Sequence, residues 1–119
     1  MGNEGFKSLR VWQIAKELAV TIYKTTESGV LARDFGLRDQ LRRAAVSIPS
    51  NIAEGDERDT NRDSVRFLYI AKGSLAELRT QLEIARDVGA LPNEHHLLLD
   101  EKCAEIGRML GALIKARSP

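Results

Sequence analysis

The stretch Gln40-Leu41-Arg42-Arg43-Ala44-Ala45-Val46-Ser47-Ile48-Pro49-Ser50-Asn51-Ile52-Ala53-Glu54-Gly55 decides the fold. Wound at about 100° per residue, Leu37, Leu41, Ala44, Ala45, Ile48 and Ile52 gather into one apolar arc, the mark of a helix facing a core. Beside that arc runs a polar stripe of Gln40, Arg43, Ser47, Asn51 and Glu54, stepped by three or four residues. Two stripes side by side predict a helix with two contacts, one inside its own bundle and one elsewhere. Pro49 falls in the middle. There a proline removes the bond to the carbonyl of Ala45 and costs about 3 kcal/mol.

The same period continues on either side. Upstream, Ser8 is a candidate N-cap for a helix over about residues 9–28, with Val11, Ile14, Ala15, Leu18 and Ile22 on one face. Trp12, Ala19 and Tyr23 widen that apolar arc well beyond the roughly 100° that packing inside one small bundle needs. The excess predicts a second packing surface. Gly29 is a natural stop, 30–35 a short connection, and Asp34 a cap for the second helix over about 36–54.

Downstream, Thr60 followed by Asp63 resembles a capping box opening a third helix over about 61–88. Its seam is Leu68, Ala71, Leu75, Leu78, Leu82 and Ala85. Gly73 inside it costs about 1 kcal/mol against alanine, so a close backbone approach is expected there. Past Gly89 and Pro92, a fourth helix over about 93–115 has the seam Leu99, Cys103, Ile106, Leu110 and Leu113. Four helices with short connections predict an all-α single domain over 1–119, an antiparallel up-down-up-down four-helix bundle.

The 119 residues carry 18 basic and 17 acidic side chains, a net charge of +1, so no global field draws a polyanion. A nucleic-acid surface then has to come from local clustering or from assembly. Cys103 is alone, which excludes an internal disulfide or a cysteine zinc site and fits a reducing, cytoplasmic setting. Neither a signal peptide nor a membrane span is expected, since no apolar run is long enough.

Candidate chemistry is sparse. His95 and His96 are neighbours that point about 100° apart on a helix and read as first-turn surface residues rather than metal ligands. Cys103 falls in a seam, where a thiol is filling. Lys72-Gly73-Ser74 ends like a phosphate loop but sits mid-helix without the earlier glycine. Glu54, Asp56 and Glu57 read as a solvated turn. No catalytic, metal or cofactor-binding residue is assigned, and the chain is expected to be no enzyme and to need no cofactor. Two sets of cations remain as nucleic-acid candidates: Arg38, Arg42 and Arg43 on the second helix, and Lys72, Arg79 and Arg86 spaced by seven along the third. Glu83 is spaced to pair with Arg79 and Arg86. Trp12 and Tyr23 offer rings for stacking on bases or for subunit packing.

Three motifs in order carry a family resemblance: Phe6-Lys7-Ser8-Leu9-Arg10-Val11-Trp12-Gln13, the Gln40 to Gly55 stretch, and Phe67-Leu68-Tyr69-Ile70-Ala71-Lys72-Gly73-Ser74-Leu75-Ala76-Glu77-Leu78. Over roughly residues 6–91 the chain resembles the four-helix-bundle family first described from reading frames in 23S rRNA intervening sequences. Related to that family are the accessory variability proteins of diversity-generating retroelements, markedly basic barrels that bind nucleic acid and a partner reverse transcriptase. The resemblance implies a homopentameric ring with a central channel. Such a ring has use for the shoulder Trp12, Ala19 and Tyr23 and for Ser47, Asn51 and Glu54 of the polar stripe as subunit contacts. The expectation is a non-catalytic homo-oligomer that binds RNA or DNA through clustered arginines. A protein-interaction scaffold, favoured by the near-neutral charge, is the alternative.

Overall fold

The computed structural model describes residues 5–118. A 3-10 turn over Gly5–Ser8 leads into α1 (Arg10–Thr25), followed by α2 (Gly29–Arg33), α3 (Phe35–Asp56), α4 (Asn61–Asp87) and α5 (Asn93–Arg117). No strand occurs among the described residues. Each long helix buries the face that its apolar period marks. Ile14, Leu18 and Ile22 of α1, Leu41, Ile48 and Ile52 of α3, and Leu68, Leu78 and Leu82 of α4 enter one common core. On α5 the seam drifts from the expected Leu113 to Ile114: Leu99, Cys103, Ile106, Leu110 and Ile114 are buried, and Leu113 only flanks them.

Two predicted caps form. The Asp34 carboxylate accepts from the Leu37 amide at 3.1 Å, and the Thr60 hydroxyl accepts from the Asp63 amide at 3.1 Å. Ser8 does not cap α1, because its hydroxyl donates to the Gly5 carbonyl inside the 3-10 turn. The end of α1 also moves. Thr26, fully buried, donates its hydroxyl to the Ile22 carbonyl at 2.8 Å, a local bond that competes with a further helical turn. The helix therefore stops at Thr25, short of the expected Ser28. Gly29, at φ +71°, starts the short α2 where a plain connection is expected, and α2 exists to place Leu31 in the core. α3 runs unbroken through Pro49, which is buried within it.

The long helices close a four-sided arrangement. α3 neighbours α1 and α4, and α5 neighbours α4 and α1, which sets α1 and α4 at opposite corners. Polar pairs fix the register: Arg43 meets Glu77 at 2.9 Å and Ser47 meets Ser74 at 2.7 Å. Residue numbers fall along α4 as they rise along α3. Arg79 with Asp100 and Arg117 with Ser64 repeat that relation between α4 and α5.

Glycine placement differs from expectation. A Cβ on Gly73 meets nothing within 4 Å, so no close approach inside the chain accounts for it. The close approach is at Gly55, where a Cβ lies 3.0 Å from the Ser64 carbonyl oxygen and 3.2 Å from the Phe67 Cβ. Asp56 is likewise not a solvated turn residue. It accepts from Arg117 at 2.8 Å, and only 16% of its side chain is exposed.

Opposite outcomes follow for the two glycines. Gly55→Ala forces backbone apart and is expected to lower stability by about 1–3 kcal/mol. Gly73→Ala relieves the chain-entropy cost and is expected to raise it by about 0.5–1 kcal/mol. Urea unfolding of both variants measures the two signs, and equal signs contradict the packing described.

Candidate nucleic-acid interface

Tyr23 lies in the last turn of α1, and Phe35, Arg38 and Arg42 follow one face of α3 at steps of three and four. The Arg38 guanidinium lies 4.7 Å from the centre of the Phe35 ring, and that of Arg42 lies 4.5 Å from the Tyr23 ring. Both planes are anchored. Arg42 donates to the Thr26 hydroxyl at 2.8 Å and to the Tyr23 carbonyl at 3.5 Å. Arg38 donates to the Ala32 carbonyl at 3.3 Å and to Asp39 at 3.0 Å. Arg42 thereby also sets a positive charge at the C-terminus of α1, where the helix dipole favours one. Phe35 is 64% exposed and Tyr23 44%, so the strip presents two ring–guanidinium plates one turn apart. Phe35 was absent from the sequence-derived candidates; its spacing of three before Arg38 is the signal that marks it. Tyr23 and Arg42, nineteen positions apart, give no such local sign.

Three of the other candidate cations, Arg43, Arg79 and Arg86, are engaged by carboxylates. Arg43 donates to Glu77 and Gln40. Arg86 holds Glu83 at 3.4 Å and Asp87 at 3.1 Å. Arg79 does not join Glu83 but forks onto Asp100 of α5, at 2.9 and 3.1 Å. The bidentate bond to Arg79 holds the Asp100 carboxyl below its ordinary range. Of the row spaced by seven, Lys72 alone has no carboxylate among the described residues, and its amino group lies 6.0 Å over Tyr69.

The polar stripe of α3 turns toward α4 rather than away. Ser47 bonds Ser74, and the Asn51 amide donates back to Ser47. Glu54 lies at the exposed end and pairs with Arg58 at 3.5 Å. Trp12 is half-buried against Phe6, ring centres 5.2 Å apart, with Lys16 over its face. Ala19 and Tyr23 line a shallow groove of about 400 Å³ between α1 and α3, with Val20, Val46 and Pro49.

His96 corrects another expectation. It is 3% exposed, its Nδ1 stands 3.3 Å from Arg86, and its Nε2 has no partner among the described residues. No group of three or more His, Cys, Asp or Glu there is placed to hold a metal ion. No described helix is long and apolar enough to cross a membrane.

Long helices in a four-sided arrangement, with arginines lying over Phe35 and Tyr23 on one surface, define an all-α helical-bundle protein. The profile of the 23S rRNA-intervening sequence protein family matches residues 7–112, and the chain belongs to that family. Among solved structures it is similar to a protein of unknown function from the S23 ribosomal protein family of Bacteroides thetaiotaomicron. The two share 26% identity over 88% of this chain and 98% of the other, with a TM-score of 0.81. No curated protein matches the sequence.

Burial pushes the Cys103 thiol up to about 12 from an ordinary value of 9.0. The folded state therefore keeps a proton that the unfolded chain releases as pH rises past 9.0. The stabilising contribution is complete below that pH and is lost progressively up to about 12. Urea midpoints across pH 8–12 are expected to fall more steeply for the native chain than for Cys103→Ala. Parallel slopes contradict the burial.

Proposed function

We propose that the chain is a non-catalytic, homo-oligomeric nucleic-acid-binding protein of the cytoplasm, its long helices antiparallel, taking single-stranded RNA or DNA on the Phe35–Arg38–Arg42–Tyr23 strip. The observation that carries this reading is the pair of guanidinium groups lying over exposed rings one helical turn apart. Unpaired bases stack on aromatic faces and arginine planes, at about 1–3 kcal/mol per base, and cations track the backbone. Anchoring by backbone carbonyls reduces the side-chain freedom lost on binding. A family named for an rRNA intervening sequence supports the same partner class.

The antiparallel arrangement is supported by the falling residue numbers across both helix pairs. Assembly, a ring of five as the resemblance implies, is supported by the apolar groove at Ala19, Val20, Val46 and Pro49, which leaves the Tyr23 ring to the strip. Repetition around a ring multiplies a patch that is weak alone. The lack of catalysis is supported by the raised Cys103 thiol, a poor nucleophile, and by the enclosed His96 ring.

The internal pairing of Arg43, Arg79 and Arg86 favours a second reading, a scaffold ring that docks another protein. Capture of a partner that survives nuclease treatment supports the scaffold; loss on treatment supports the nucleic-acid reading.

Mobility shift of single-stranded RNA across a salt series tests the strip. Phe35→Ala and Arg38→Ala are each expected to weaken binding about tenfold without changing the assembly. Arg43→Ala is expected to leave affinity unchanged, since that side chain is held across to Glu77 on α4 and lies outside the ring-backed strip. Unaltered affinity in both strip variants, or binding indifferent to salt, overturns the reading.

A further inference from the structure

We propose that copies of the chain meet head to tail, with Leu98 near the start of α5 of one copy seated in the groove between α1 and α3 of the next. Both halves of that contact are apolar and uncovered in the single chain. Val20 and Val46 of the groove are exposed at 46% and 41%, with Ala19 and Pro49 buried beside them. Leu98 stands out at 68%, more than any other large apolar side chain among the described residues, and its neighbour Leu97 at 57%. A recess on one side and a projecting pair on another suit a contact between two different patches.

Charge is complementary across it. Lys16 and Lys24 flank the groove against one acid, Glu27, and Arg42 over the Tyr23 ring adds to the basic side. Around Leu98 stand Glu17 of α1 and Glu101, Lys102, Glu105 and Arg108 of α5. Glu94 adds a further acid one turn before Leu98. Lys102 and Glu105 hold each other at 3.4 Å. Lys16, Lys24, Glu17, Glu94 and Glu101 make no ion pair among the described residues. The surplus is therefore basic at the groove and acidic around Leu98, the match that steers two surfaces together.

Height along the bundle decides what such contacts build. Leu98 and Lys102 face Glu17, Leu18 and Thr21 across the seam of α1 and α5. That is level with the part of α1, from Lys16 to Glu27, that lines the groove. One patch lies on the α3 side of α1 and the other on its α5 side, and adjacent sides of a four-sided bundle face roughly at a right angle. Head-to-tail contacts at one height, each turned by the same angle, close into a small ring, whereas a step in height winds a filament. The proposal rests on the homo-oligomeric part of the reading above and not on the nucleic-acid part.

Sedimentation equilibrium of the full chain tests it. Val20→Asp and Leu98→Asp alter exposed positions on opposite halves of the contact. Each is expected to reduce the native assembly to the 13.2 kDa monomer while circular dichroism stays unchanged. In an equal mixture, one variant still offers Leu98 and the other an intact groove, so one good contact remains. The mixture is expected to form a dimer and to grow no further. A native mass that either variant leaves unaltered overturns this contact while assembly itself stands. So does a mixture that stays monomeric or regains the native mass. A native chain that is itself a monomer at micromolar concentration overturns the homo-oligomeric reading and the contact with it.

Discussion

The approach of α3 to α4 at Gly55 is the constraint from which the other arrangements follow. With a Cβ position 3.0 Å from the Ser64 carbonyl oxygen, the helices meet there with almost nothing between them. The corner is tied from a third direction. Arg117, near the end of α5, donates to the Asp56 carboxylate and the Ser64 hydroxyl, both at 2.8 Å. This half-buried pair joins the C-terminal ends of α3 and α5 to the start of α4. Charges so placed need partners on every side, and losing one partner costs more than the pair itself contributes. From that corner the Ser47–Ser74 and Arg43–Glu77 contacts carry one register along the seam.

Electrostatics in this chain are mostly spent inside the protomer. A net charge of +1 already limits long-range attraction, and pairing removes most of the local clusters as well. What survives is shape-specific rather than field-driven. Arginine guanidinium groups lie over the rings of Phe35, Tyr23 and Phe67, the last with Arg58 and Arg66 at 4.3 and 4.6 Å from its centre. Such contacts hold planar groups in place without needing excess charge, and that is the reason the Phe35 strip, not the arginine count, directs the functional reading. The family match over residues 7–112 and the solved neighbour of unknown function both support the fold.

The sequence by itself determined the four long helices, the face each turns inward, and two of their caps. Periodicity and capping are local properties, readable within one or two turns: Asp34 and Thr60 act on amides three residues away. The same local logic misled where a tertiary partner outbids a neighbour. Glu83 is well spaced for Arg79, but Asp100 across the seam offers two bonds in the fork geometry and takes it. His96 reads as a surface residue from its place in the first turn of α5, yet α4 covers it. Only the tertiary structure decided which glycine marks the close approach and that the polar stripe of α3 bonds to α4. It also placed Arg42 on Tyr23 from nineteen residues away. The physical reason is common to all of them: each depends on distances between helices, and those are set by how the whole core packs rather than by the period of any one segment.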